Sequence, residues 1–251
     1  TGTGSGKTEC FLIPILNYLV EQKENKKLTP GVRALILYPM NALANDQLKR
    51  LRQLLKDYPE ITFGRYTGET KERKSEAADY FRKMNPKQEI LSNELLSREE
   101  MRENPPHILL TNYAMLEYLL LRPNDNVFFD GAYKDEWKFV VLDEAHVYAG
   151  SLGSEISYLL ARLKDRVADG EKNKLQFIAT SATLGGSKKE ISDVIRYAED
   201  LFDEKFTEDC LIKSERRTTS VESGLKKPDI RWYREFEEIL SKFSGKRLAD
   251  E

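Results

Sequence analysis

With 251 residues, of which 40% are hydrophobic, the chain can bury a sizeable core and is not disordered overall; 40 basic against 42 acidic residues give a net charge of −2, which excludes a global field that would gather a polyanion. Cys10 and Cys210 lie far apart without a CxxC spacing, which indicates neither a zinc site nor a disulfide framework and implies a reducing, cytoplasmic compartment. Apolar runs are of strand length or broken by charge, short of the roughly 18 residues a membrane span needs, so a soluble protein without a membrane partner is expected.

The chain opens on Thr1-Gly2-Thr3-Gly4-Ser5-Gly6-Lys7-Thr8, a glycine-rich phosphate loop. A polyphosphate with its magnesium ion requires backbone N–H groups, an ammonium and a hydroxyl, which makes Thr3, Gly4, Ser5, Gly6, Lys7 and Thr8 the candidate ATP contacts. Thr1 stands where the general G-x-x-x-x-G-K-[ST] pattern has glycine, leaving Gly2, Gly4 and Gly6 for close backbone approach. Over residues 7–21, Cys10, Phe11, Ile13, Leu16, Leu19 and Val20 recur at helical spacing, with Pro14 a candidate kink, so the phosphates would sit at a helix N-terminus. Ala34–Tyr38, closed by Pro39, reads as a strand buried on both faces. A helix over residues 41–56 and a strand over 61–66 follow; Lys49, Arg50 and Arg52 read as a solvated helix face.

Residues 70–106 are polar and predict a solvated insertion with one or two short helices, one of them started by the capping box Ser97-Arg98-Glu99-Glu100. Strands are expected at 107–110, 138–142 and 175–180, and helices at 112–121 and 153–167. Ser187-Lys188-Lys189-Glu190 offers a second capping box, for a helix to about Phe202. His107 starts a strand and is assigned no chemistry. Strands alternating with helices at this rhythm predict an α/β fold, a parallel sheet covered by helices on both faces. Residues 1–206 read as one domain, and 207–251, where the pattern degrades, as a linker or the start of a following region.

The strand at 138–142 ends in Asp143-Glu144-Ala145-His146, and ligands of open parallel sheets bind beyond the carboxyl ends of strands. Asp143 and Thr8 are the candidate Mg²⁺ ligands, and Glu144 is the candidate for orienting or deprotonating an attacking water. His146 lies close enough to couple this site to neighbouring loops. Thr180-Ser181-Ala182-Thr183 brings hydroxyls to the same sheet edge, although such hydroxyls also cap helices.

Taken in order, Thr-Gly-Ser-Gly-Lys-Thr, Asp-Glu-Ala-His and Ser-Ala-Thr resemble motifs I, II and III of a superfamily 2 DExH-box helicase, in its first RecA-like, P-loop NTPase domain. The stretch from His146 to Glu155 resembles the MrfA-like branch, whose longer members end in a four-cysteine zinc domain. The resemblance covers about residues 1–205. It implies ATP and Mg²⁺ as cofactors, Lys7, Asp143, Glu144 and His146 as catalytic residues, and Ser181, Ala182 and Thr183 as coupling residues. It also places Pro39 and Asn41 in motif Ia and Thr111 and Asn112 in motif Ib, which touch the nucleic-acid backbone in the family, and Gly68, a further nucleic-acid candidate, in the loop between them.

Physical support for that surface comes from position: Asn41, Asn45, Thr111 and Asn112 follow strand ends at or near helix starts, where amides and N–H groups can hold phosphates without reading bases. Each can equally serve as an N-cap. The expected function is the ATP-binding motor lobe of a helicase or translocase acting on a single strand in an interlobe groove, with DNA favoured over RNA. The alternative is an ATP-dependent nucleic-acid-binding switch or remodelling subunit that does not separate strands. The strand that feeds a phosphate loop, an adenine-reading segment and a second RecA-like lobe are not found in the sequence, so the chain is expected to be a fragment of a longer protein.

Overall fold

The computed structural model describes residues 6–181 and 188–212. Compact units divide at Ser214, and the second, Glu215–Glu251, lies outside the described residues together with the expected capping box at Ser187. Among the described residues, six strands form one parallel sheet in the order β3-β2-β4-β1-β5-β6. They are β1 (Ala34–Tyr38), β2 (Phe63–Arg65), β3 (Glu94–Leu95), β4 (Ile108–Asn112), β5 (Phe139–Leu142) and β6 (Gln176–Ala179). Parallel neighbours need crossovers, and helices supply them. These are α1 (Lys7–Glu24), α2 (Asn41–Leu55), α3 (Lys74–Met84), α4 (Arg98–Glu103), α5 (Tyr113–Leu121), α6 (Ser151–Ala168) and α7 (Lys188–Phe202).

The central strands β1 and β5 are apolar throughout because both faces are covered, and the two-residue period sorts their side chains between two cores. Leu35, Leu37, Val140 and Leu142 pack with α5, α6 and α7; Ala34, Ile36, Tyr38, Phe139 and Val141 pack with α1 and α2. Phe11 and Ile15 on α1 are fully buried, a stabilisation of about 1.5–3 kcal/mol for each side chain. Helix α1 runs unbroken through Pro14, which stands exposed with Cys10, where water can take the hydrogen bond that proline cannot give.

The segment read as a solvated insertion contributes more than two helices. Glu94–Leu95 is a strand that pairs with β2 and extends the sheet. Its acid is buried because the Arg52 guanidinium pairs with Glu94 and also lies 4.8 Å over the Phe81 ring. Arg52 is therefore a lock between α2 and the inserted segment, not part of a solvated face. Gly64 on β2 lets α4 settle on the sheet, since a Cβ there would stand 2.7 Å from the Met101 sulfur. The capping box forms as expected: Ser97 Oγ accepts from Glu100 N at 3.2 Å, and Ser97 N donates to the Glu100 carboxylate at 3.1 Å. No helix among the described residues is long and apolar enough to cross a membrane.

Candidate functional site

Helix α1 starts at the carboxyl-terminal edge of the sheet. Gly6, its N-cap, has φ of 77°, a left-handed conformation that glycine adopts without a Cβ penalty. This turn sends Lys7 toward the tip of β5. Lys7 Nζ lies 2.9 Å from Glu144 Oε1, across 137 positions of sequence. Thr8 is buried beside it, and its hydroxyl accepts from Gln47 Nε2 of α2 at 3.2 Å.

Asp143 leaves β5 with its N–H donating to Leu37 O at 2.9 Å, so the chain stays in sheet geometry for one residue beyond the strand. Glu144 then turns at φ of 52°, left-handed for a residue with a Cβ, which costs local strain of about 1 kcal/mol or more. The parallel register that sets Leu142 opposite Ala179 delivers Thr180 next to this turn. Thr180 Oγ1 donates to Asp143 Oδ1 and accepts from Glu144 N at 3.1 Å, and Thr180 O accepts from Ala145 N at 2.7 Å. One threonine thus fixes both acids.

Burial raises the Asp143 pKa above the usual carboxylate range, opposed by the Thr180 hydrogen bond, assisted by the Glu144 charge and opposed by Lys7. Tyr38 and Tyr148, both buried, lie close enough to feel the Asp143 charge, and burial first and that charge second raise their hydroxyl pKa values. The acid pair therefore sits in a low-dielectric corner with one ammonium facing it. His146, part-exposed, reaches Glu144 Oε2 with Nδ1 at 3.3 Å. Tyr197 on α7 donates to the carbonyls of Ala145 and Tyr148, at 2.7 and 2.8 Å, and holds the turn between them.

Along the same edge, Asn41 opens α2 and Asn112 caps α5 through Oδ1, which accepts from Met115 N at 2.8 Å. Asn112 Nδ2 donates to Asn41 Oδ1 at 2.8 Å, so Asn112 serves as cap and edge amide together. Pro39 is part-exposed and Gly68 open to solvent. Thr111 does not belong with them: it is fully buried, paired in β4, and its hydroxyl donates to Tyr66 O at 2.6 Å. Thr111 thus stands one residue inside the edge, because β4 runs through Asn112 and the part-exposed amide begins there.

The structure thus brings Lys7, Thr8, Asp143, Glu144 and His146 together, with Gly6 behind them and Ser181 following Thr180. Thr3, Gly4, Ser5, Ala182 and Thr183 lie outside the described residues. Sequence reasoning passed over Gln47 and the specific role of Thr180. The strand-end position of Thr180 was a usable signal, whereas Gln47 had none, being one polar residue among many on α2.

Fold and site together define a RecA-like α/β domain whose first helix begins beside the acid pair that follows β5. The model of the DEAD/DEAH box helicase family matches residues 1–191, and the chain belongs to that family. It is 34% identical over 287 residues to the Druantia protein DruE of Escherichia coli, covering 80% of this chain and 15% of that protein. The ATP-dependent helicase YprA of Bacillus subtilis is 30% identical over 190 residues, 75% of this chain and 21% of YprA. Among solved structures, the DUF1998 helicase MrfA bound to DNA superposes with a TM-score of 0.58 at 25% identity, over 82% of this chain and 23% of MrfA. MrfA bound to DNA and AMPPNP gives 0.56 at 26% identity, again over 82% of this chain and 23% of MrfA. The chain therefore spans less than a quarter of the length of these relatives.

Proposed function

We propose that this chain is the ATP-binding motor lobe of an ATP-dependent helicase or translocase that acts on DNA. The observation that carries the reading is the 2.9 Å approach of Lys7 Nζ to Glu144 Oε1, which joins the helix start and the acid pair in one corner. Lys7 binds the β and γ phosphates, and Glu144 orients the attacking water and takes its proton. The oxygen set fits a magnesium ion: Thr8 and Asp143 offer hard oxygens, and Glu144 Oε2 is a buried acceptor that makes no hydrogen bond, with His146 Nδ1 3.3 Å away. Thr8 and Asp143 would hold the ion, which when bound neutralises phosphate charge. Ser181, Ala182 and Thr183 couple this corner to the nucleic-acid edge.

Residues 1–206 form this lobe, and 207–251 lead into a following region. A second RecA-like lobe of the parent chain closes on ATP, with a single strand held in the groove between the lobes against Pro39, Asn41, Gly68 and Asn112. The DNA-bound MrfA structures support DNA over RNA. The two far-separated cysteines favour the cytoplasm as its compartment.

The test is ATP turnover by the full-length protein with single-stranded DNA. Glu144→Gln should leave ATP binding intact and slow hydrolysis by about 10²–10⁴-fold, the worth of a positioned general base. Turnover equal to that of the unsubstituted protein would refute the assignment. DNA-stimulated hydrolysis without duplex separation would select the remodelling alternative.

A further inference from the structure

Two donors, one from the end of β2 and one from the first residue of α2, meet over the carboxylate of Glu69. Arg65, the last residue of β2, approaches Oε2 with Nη1 at 3.3 Å. The Asn41 amide approaches Oε1 with Nδ2 at 3.5 Å. Asn112, by donating to Asn41 Oδ1, fixes that amide with its NH₂ group facing Glu69. Arg65 Nη1 also donates to Asn45 Oδ1, which holds the guanidinium independently of Glu69.

Both contacts to Glu69 lie at or beyond the long end of the hydrogen-bonding range, and its side chain is 52% exposed against 16% for Arg65. The carboxylate is loosely held, and the donors beneath it are not. A guanidinium and an amide aimed at one solvent-facing anion are also the donors that a phosphodiester takes. Gly68, adjacent in sequence, has open space where a side chain would stand, so a nucleic-acid backbone meets no obstruction there.

We infer that Glu69 is an internal stand-in for a nucleic-acid phosphate, keeping Arg65 and Asn41 in place until a phosphodiester of the bound strand displaces it. This rests on the nucleic-acid part of the proposed function and adds two elements to it. Arg65 becomes the cation of an edge otherwise built from amides, proline and glycine. Glu69 becomes its competitor, which lowers affinity for any strand that does not fill the position. The exchange replaces one anion by another on the same donors, so Arg65 stays paired while the half-exposed Glu69 carboxylate returns to water.

The experiment is binding of a labelled single-stranded oligonucleotide to the full-length protein across a salt series, with Glu69→Gln, Arg65→Gln and the double variant alongside. Glu69→Gln should bind about two- to fivefold tighter, the worth of one exposed ion pair. Arg65→Gln should bind more weakly, with the slope of log affinity against log salt reduced by about 0.7, one single-strand phosphate contact. In the Arg65→Gln background, Glu69→Gln should gain nothing. Equal or weaker binding by Glu69→Gln, or an unchanged slope for Arg65→Gln, overturns the inference. An unsubstituted protein that binds no oligonucleotide overturns the nucleic-acid reading itself. Magnesium-ATP affinity equal in all four proteins confines any difference to this edge.

Discussion

The two ends of the sheet carry polar clusters of similar composition and opposite character. At the amino-terminal end, Arg33 is fully buried just before β1 and donates to Thr29 O, Gly31 O and Thr29 Oγ1 while pairing with Glu136 at 2.6 Å. His107, just before β4, accepts from Thr62 N at 2.9 Å through Nδ1 and therefore carries its proton on Nε2, 3.0 Å from Thr29 O. At the carboxyl-terminal end, Glu144 Oε2, 3.3 Å from His146 Nδ1, and Gln47 Oε1 are buried and accept no hydrogen bond, Glu144 is strained, and the Asp143 pKa is raised. Arg33 also keeps one buried nitrogen, Nε, without an acceptor, but its other nitrogens close on backbone and on Glu136 and hold the fold together; at the other end the unspent atoms coincide with strain and a raised acid pKa, the combination that marks where a ligand is to bind.

That contrast assigns stability to one end and activity to the other, and substitutions can separate them. The largest effect is expected at Arg33. Arg33→Met removes one partner of a buried pair and should lower unfolding stability by about 3–5 kcal/mol in urea titration, toward the lower figure because Glu136 keeps access to water. Its ATPase rate per folded molecule should be unchanged.

His107 comes next and gives the pH dependence. Burial, with the Arg33 charge adding to it, pushes its pKa down to about 4 from 6.5. Between those values the unfolded chain is protonated at this site and the folded protein is not, so stability falls as pH falls. The loss should reach about 3 kcal/mol from pH 6.5 to 4, and His107→Gln should flatten that part of the stability curve.

At the other end, Lys7→Ala should weaken ATP binding by about 1.5–3 kcal/mol, roughly 10- to 150-fold, as read by titration with a fluorescent ATP analogue. Its unfolding midpoint should fall by less than that of Arg33→Met, since Lys7, unlike Arg33, is not fully buried. The smallest effect is a gain. Asp143 has a raised folded pKa, so its ionisation costs stability that is lost as pH rises through that value; Asp143→Asn in metal-free buffer at neutral pH should stabilise by about 0.5–2 kcal/mol. Hydrolysis should fall in the same variant.

The sequence exposed the carboxyl-terminal end more fully than the amino-terminal one. Lys7-Thr8 and Asp143-Glu144 were legible because their chemistry requires fixed residue types at fixed spacing after a loop or a strand. The alternation of strands and helices gave the parallel sheet, and the apolar runs gave β1, β4 and β5. Glu94–Leu95 was missed because a two-residue strand with a buried acid has no periodicity, and Arg52, which neutralises that acid, sits on a distant helix. That the Thr111 hydroxyl is buried while the Asn112 amide stands at the edge depends on where β4 ends, which spacing alone does not fix to one residue. Thr180 bonds Asp143 only through the β5–β6 register, which is tertiary information. Arg33 and His107 gave no sign of their partnership, since Thr29, Thr62 and Glu136 meet them through three separate crossovers.

The central claim is that Lys7 and the acid pair serve one magnesium-bound triphosphate. ATP affinity of the full-length protein, measured with and without Mg²⁺ for the unsubstituted chain and for Asp143→Asn, tests it most directly. Magnesium should tighten ATP binding by the unsubstituted protein and have little effect on Asp143→Asn, while both bind metal-free ATP through Lys7. Full magnesium dependence in Asp143→Asn would contradict the claim.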